Sequence, residues 1–350
     1  MNRFSNMSRR RFLQTGSGVA VASALGGAVQ LVLPDVASAQ GAKVVVKYDW
    51  LMGNGQIGDI IAAEKGIYKE SGLDVEFAPG GPNSATVPPV ISGAAALGQF
   101  SETPQLFNAR AGGVPVKILA CGFRTGPYAL TSKPDKPLRN LEDLQNVRVG
   151  VQPTARFLID AIAAKNGIPI ENITVIPVGF DKAPLVAGEV DAIGGWITNT
   201  QALSVVGEDR IDLLVSDLGL ESYADVYFAT DDAIDNNADQ LAAFIGATGK
   251  GWGWVHANPS EAVEVMVNAV DGLDLGWEQK TVDLVLGLSF DENTARDGWG
   301  TFDPASLESQ LALYDQIGQY DNGRPSLADV HTTSILEMTA DARPKLGAPA

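Results

Sequence analysis

An α/β protein of two similar lobes, each a mostly parallel sheet flanked by helices with a ligand cleft between them, is the fold class the sequence predicts. Two observations carry this expectation. Residues 44–100 reappear in outline at 147–196, and within each copy short apolar strands alternate with amphipathic helices. Alternation at this pitch specifies parallel strands covered by helices. Two copies specify two lobes, and the junction of two lobes is a preferred place for a small ligand.

The elements follow in order. The first strand is 44–50 and its counterpart is 147–152; each leads into a helix that stops at a Gly-Ile pair, Gly66-Ile67 or Gly167-Ile168. Glycine after the last turn is a common helix stop, because it tolerates the left-handed conformation needed there. Second strands are expected at 73–77 and 173–178. A second helix ends at Gly93 or Gly188 and opens onto a third strand, 95–100 or 191–196. Residues 103–111 read as a helix and 116–123 as a fourth strand. The segment 124–146, rich in Pro, Lys, Asp and Gly, reads as the first crossover between lobes. The second copy continues through a helix at 200–206 and a strand at 211–216, and 224–229 is the expected return strand. Helices are then expected at 240–256, 260–270, 277–286 and 304–319, with Asn258-Pro259-Ser260 as a stop-and-cap signal. Helices without strands of their own must pack on existing sheets. The expected lobes are therefore 40–125 plus 230–350, discontinuous in sequence, and 126–229, with a hinge near 124–130 and 224–230.

The first 39 residues stand apart from this pattern. Ser8-Arg9-Arg10-Arg11-Phe12-Leu13-Gln14 is a twin-arginine export signature, an apolar Gly/Ala/Val/Leu run follows, and Ala37-Ser38-Ala39 supplies a small-x-small cleavage site. The expectation is export to the periplasm with a mature chain starting at Gln40. Four arginines and one aspartate in this segment sum to +3, so the remaining 311 residues carry −20 of the chain's −17 total. A surface this acidic repels nucleic acid and suits a monomer. Cys121 is the only cysteine and lies in an apolar strand, which fits a buried, unreactive thiol.

In parallel α/β sheets, ligands collect beyond the carboxyl ends of the strands, where loops enter helix N-termini. The duplication identifies these ends. In the first lobe they carry Asp49 and Trp50, Asn83 after Gly80-Gly81-Pro82, and Phe100, Ser101 and Glu102. In the second they carry Thr154, Phe180 and Asp181, and Trp196, Thr198 and Asn199. Hydroxyls and amides here either cap helices or, with free backbone N–H groups, meet an acceptor atom of a ligand. Arg124 at the crossover and Arg156 at the start of a helix are the cations placed to clamp a carboxylate, sulfonate or phosphate.

Catalytic machinery is scarce. The two histidines, His256 and His331, belong to no metal-binding pair, and neither a G-x-S-x-G nor a P-loop is present. The expectation is a protein without enzymatic activity, catalytic residues, metal or cofactor.

Three segments resemble a known family. Lys65-Gly66-Ile67-Tyr68-Lys69-Glu70-Ser71-Gly72-Leu73-Asp74-Val75, Leu141-Glu142-Asp143-Leu144-Gln145-Asn146-Val147-Arg148-Val149-Gly150 and Gly188-Glu189-Val190-Asp191-Ala192 are similar to elements of periplasmic solute-binding proteins of ABC importers. The group in question includes nitrate, alkanesulfonate, taurine and thiamine-pyrimidine binders. The second segment departs from the pattern at Asn146 and Val147, where Gly-Lys is usual. The resemblance implies the periplasmic-binding-protein fold of type II-like topology, hinge closure on a small molecule, and delivery to an ABC permease in the inner membrane. A branch of the group is an iron-dependent thiamine-pyrimidine synthase that relies on His and Cys residues; the lack of a Cys-rich cluster argues against that activity. Carboxylates near the site disfavour an anion. The expected ligand is thus a neutral or cationic nitrogen heterocycle, such as a thiamine-type pyrimidine. Trp50 and Trp196 would stack on opposite faces, with Asp49, Glu102, Thr198 and Asn199 as polar contacts. The alternatives are a nitrate, sulfonate or taurine held by Arg124 or Arg156, and a periplasmic enzyme on the same fold.

Overall fold

Val44, Val46 and Tyr48 are all buried, and with them the apolar first strand β1 (Ala42–Tyr48) becomes an inner strand of a five-stranded sheet. The computed structural model describes residues 41–81 and 84–349. The twin-arginine motif, the cleavage site and Asn83 lie outside the described residues.

Two sheets form. The first contains β1, β2 (Leu73–Ala78), β3 (Leu97–Glu102), β4 (Val116–Phe123) and β10 (Ala224–Thr230), in the order β2-β1-β3-β10-β4. The second contains β5 (Tyr128–Ser132), β6 (Val147–Val151), β7 (Ile173–Pro177), β8 (Ala192–Trp196) and β9 (Ile211–Leu214), in the order β7-β6-β8-β5-β9. The spatial order of the strands is thus the same in the two sheets. β1 pairs parallel with β2 and β3, and β6 pairs parallel with β7 and β8. Each sheet also takes one antiparallel strand: β10 between β3 and β4, and β5 between β8 and β9.

One expectation needs correction. Residues 124–146 are more than a crossover, because Tyr128–Ser132 is a central, fully buried strand of the second sheet. β5 stands to the second sheet as β10 stands to the first, but it enters from the opposite end of the repeat. In the first sheet the equivalent strand, β10, follows the repeat, so the duplication gave no cue to a strand ahead of it, and the Pro- and Lys-rich loop behind β5 masked its apolar run.

The helix stops act as expected. Gly66 and Gly167 take φ of +76° and +64°, the left-handed conformation that ends a helix. The long helix Ala238–Ala257 lies on the helix Ile57–Glu64 of the first repeat. Their approach is close because both contact points are glycine: a Cβ on Gly251 would fall 2.1 Å from the Gly58 carbonyl oxygen. Trp252 stacks on Trp299 at 6.0 Å beneath them, both rings fully buried.

Candidate functional site

The carboxyl ends of the two sheets meet. Beyond β1, the half-buried indole of Trp50 lies 5.1 Å from the exposed ring of Phe180, just past β7. Asn54, in the turn that follows, donates to the Thr198 carbonyl beyond β8 at 3.2 Å and to Glu278 at 3.0 Å. Thr200 and Thr281 join hydroxyls a turn further on, and Phe157 packs edge-on against Tyr314.

Between these contacts lies a set of buried polar groups on β3, β10 and the turn after β1. Gln56 is held by the Gly53 N–H on its carbonyl oxygen. Its amide nitrogen donates to Gln99 Oε1 at 2.9 Å and to Asp225 Oδ1 at 3.4 Å. Gln99 Nε2, Asp225 Oδ2, Glu102 Oε1 and Thr198 Oγ1 are all buried without a partner. Unpaired buried polar atoms are uncommon, and these four lie on β3, on β10 and just beyond β8. Burial pushes the Glu102 carboxyl up to about 8, with the charge of Asp49 adding to the effect. Asp225 is raised well above the carboxylate range, first by burial and then by Asp49, Asp59 and Glu102. Both groups resist ionisation unless a donor or a cation reaches them.

The sequence-predicted residues fall into three groups. Glu102, Thr198 and Trp50 belong to this junction. Asp49 and Ser101 also lie there, but Asp49 accepts the Ser101 N–H at 2.8 Å, the Ser101 hydroxyl at 3.0 Å and the Gln105 amide at 2.9 Å. Its oxygens brace the end of β1 against the start of the helix Thr103–Ala111. Trp196 packs toward Phe123 at 6.3 Å, so the aromatic partner of Trp50 across the junction is Phe180. Phe100 is buried and stacks on Phe228 at 4.3 Å within the first sheet.

The third group is occupied elsewhere or exposed. Arg124 donates to Asp291 at 3.1 Å and to the Thr301 carbonyl at 2.7 Å, and lies over the Tyr223 ring. Arg156 pairs with Asp160 one turn along its own helix at 3.1 Å. Asp181 accepts the Ala183 N–H, and Thr154 and Asn199 are exposed at the ends of their strands.

Sequence reading missed Gln56, Gln99, Asp225 and Asn54. The signal was present for two of them: Gln99 lies between Gly98 and Phe100 and Asp225 between Ala224 and Val226, polar residues with apolar or small neighbours on their strands, Leu97–Glu102 and Ala224–Thr230. Among the described residues no group of three His, Cys, Asp or Glu side chains is placed to hold a metal, and no helix is long and apolar enough to cross a membrane.

Comparison with known proteins gives a family, two relatives and a structural neighbour. The family model described as NMT1/THI5 like matches residues 54–262. The formylaminopyrimidine-binding protein of Halalkalibacterium halodurans is 25% identical over 280 residues, covering 78% of this chain and 84% of that protein. The riboflavin-binding protein RibY of Chloroflexus aurantiacus is 27% identical over 265 residues, covering 69% and 72%. Among solved structures, the periplasmic aliphatic sulphonate binding protein SsuA of Escherichia coli aligns with a TM-score of 0.65 at 13% identity, over 85% of this chain and 99% of that one. At that identity the last likeness speaks to the fold, which is the two-lobed periplasmic-binding-protein fold.

Proposed function

The chain belongs to the NMT1/THI5-like family, and from that premise we propose that it is the solute-binding component of an ABC importer, capturing a nitrogen heterocycle between its lobes. The observation that carries the ligand class is the unpartnered set Glu102 Oε1, Asp225 Oδ2 and Gln99 Nε2, in the same junction as the aromatic pair Trp50 and Phe180. Flat rings suit the aromatic pair. Amines and ring nitrogens suit two buried carboxyls, which accept from the first and, when protonated, donate to the second, while the charge of an oxyanion would oppose that of any carboxylate formed there. The arginines that would serve an anion are engaged: Arg124 with Asp291 and Thr301, Arg156 with Asp160. The relatives named for formylaminopyrimidine and riboflavin binding are named for heteroaromatic compounds and support the same class.

In this reading the first lobe is 40–125 plus 224–350 and the second is 126–223, the expected boundary at 230 moving to 224 because β10 pairs with β3 and β4. The protein is exported by its twin-arginine signal, works as a monomer in the periplasm, and hands its ligand to a permease. Trp50 and Phe180 contact the ring, with Trp196 lining one side. Glu102, Asp225, Gln99 and Thr198 make the polar contacts, and Asp49 and Ser101 hold the β1 end in place.

A thermal-shift panel of aminopyrimidines, riboflavin, nitrate, taurine and alkanesulfonates tests it. A ligand at about 100 times its Kd stabilises by roughly 2.7 kcal/mol, a shift of several degrees. A shift with a heterocycle supports the proposal. A shift confined to nitrate or the sulfonates contradicts it.

A further inference from the structure

The helix Leu275–Ser289 is bonded to a different part of the protein at each of its ends. At the C-terminal end, the Leu288 carbonyl accepts the Arg124 N–H at 2.7 Å, and the Ser289 hydroxyl donates to the Gly122 carbonyl at 2.7 Å. Trp299 Nε1 donates to the same hydroxyl at 3.1 Å, and both residues are buried. Gly122 lies in β4 and Arg124 just after it, where the chain leaves the first sheet for β5 of the second. The two connections between the sheets also pair with each other there, the Gly126 N–H donating to the Ser222 carbonyl at 2.9 Å. That end of the helix is therefore anchored beside the crossover.

The first half of the helix meets groups that follow β8 of the second sheet. Thr281 shares a hydroxyl bond of 2.5 Å with Thr200. The Thr281 hydroxyl also contacts the Trp277 carbonyl at 2.8 Å, and a carbonyl can only accept. Both bonds form at once only if Thr281 donates to Trp277 and Thr200 donates to Thr281. Thr281 is fully buried, so water does not compete for that bond. One turn earlier, Glu278 accepts one amide proton of Asn54 at 3.0 Å, and the other goes to the Thr198 carbonyl at 3.2 Å. Glu278 thus aims Asn54 at the segment after β8. Lys280 lies 3.9 Å from Glu208, but both side chains are largely exposed and such a pair adds little.

We propose that this helix is a latch between the lobes and that Thr281 is its positioning residue, acting through Thr200. Anchored beside the crossover at one end and bonded to Thr200 at the other, it holds the two lobes together through protein groups alone. No ligand atom takes part in the Thr200–Thr281 or Asn54–Thr198 bonds, so they favour closure before a ligand enters as much as afterwards. Apparent affinity for any molecule in the cleft is then its intrinsic affinity scaled by the closed fraction. Residues that touch no ligand set part of that affinity. The inference rests on the two-lobed reading and is independent of the ligand's chemistry.

The test measures the distance between the lobes in the protein with no ligand added. Spin labels go on Asp209→Cys, in the second lobe, and Glu264→Cys, on the helix Pro259–Ala269 that packs beside the latch. Both positions are exposed, while the native Cys121 is buried and takes no label. Electron–electron double resonance is recorded for this labelled protein, and for the same protein carrying T281V, T200V or both. The labelled parent is expected to show mainly the short distance of the latched structure. Each single change removes one hydrogen bond and lowers the closed-to-open ratio about 5-fold, with the unfolding midpoint unchanged. The double variant opens no further than either single one, because all three lack the same bond. Three results overturn the inference: a parent that shows only a longer distance, variants whose distances match the parent's, or opening that comes with a lower unfolding midpoint in both single variants. None of them bears on the ligand class, and failure of the heterocycles in the thermal-shift panel leaves this measurement untouched.

Discussion

The rings of Trp50 and Phe180 meet at 5.1 Å with an interplanar angle of 51°, one beyond the carboxyl end of β1 and the other beyond β7. The two residues belong to different sheets, so their contact exists only while the two sheets face each other closely. In the proposed site these two rings are the aromatic surfaces offered to a flat ligand. Trp50→Ala and Phe180→Ala are each expected to weaken heterocycle binding about 5-fold, the effect of roughly 1 kcal/mol of ring contact. Neither should shift the unfolding midpoint much, since Phe180 is 54% exposed. Titration calorimetry of both variants checks this; affinities within twofold of wild type would remove the pair from the site.

Asp59 links stability to pH. Its carboxylate is fully buried and accepts hydroxyls from Tyr48 at 2.9 Å and Tyr227 at 2.6 Å, and burial pushes it up to about 7. The folded chain therefore holds a proton that the unfolded chain releases near the ordinary carboxylate value. Stability supplied by that proton is complete below about pH 4 and is lost as pH rises through about 7. Asp59→Asn removes this dependence. Relative to wild type, the variant should gain on the order of a few kcal/mol between pH 4 and pH 8. Urea unfolding at four or five pH values reads the slope; parallel curves for the two proteins would show that Asp59 is ionised throughout.

Arg124 is a structural cation. Its side chain is only 8% exposed and joins the end of β4 to Asp291 and the Thr301 carbonyl. Arg124→Ala leaves Asp291 without its ion partner and is expected to destabilise by roughly 2–3 kcal/mol. Heterocycle affinity should stay within about threefold of wild type, a change of under 1 kcal/mol. Denaturant unfolding and ligand titration separate the two effects. Loss of ligand binding with unchanged stability would return Arg124 to the site.

Gly251 sets the distance between the helices Ala238–Ala257 and Ile57–Glu64. A methyl group there would lie 2.1 Å from the Gly58 carbonyl oxygen and 3.0 Å from Ala62 Cβ. Neither neighbour can move without its helix, so Gly251→Ala should cost about 1–3 kcal/mol through overpacking. Thermal unfolding measures it, and an unchanged midpoint would mean that the helices slide apart freely.

Much of the fold was legible because apolar runs repeat. The strands at 44–50, 73–77, 116–123 and 147–152 and the helix Thr103–Ala111 stand within two residues of their expected places. β5 was hidden because its equivalent in the first sheet, β10, follows the repeat while β5 precedes it. The site was legible only in part, for a physical reason. Strand-end position marked Trp50, Glu102 and Thr198, but a side chain's partner is a tertiary fact. Asp49 could not be told from Glu102 by sequence, yet Asp49 has both oxygens bonded while Glu102 has one free. Gln99 and Asp225 carried a usable signal, a polar residue between apolar or small neighbours on a strand, which period-based reading treats as an interruption.

Titration of the protein by calorimetry with 4-amino-2-methylpyrimidine and, separately, with an alkanesulfonate tests the account most directly. One saturable site for the pyrimidine, with a negative heat-capacity change from burial of its ring and no heat from the sulfonate, is the expected result. Saturation by the sulfonate with none by any heterocycle would contradict it.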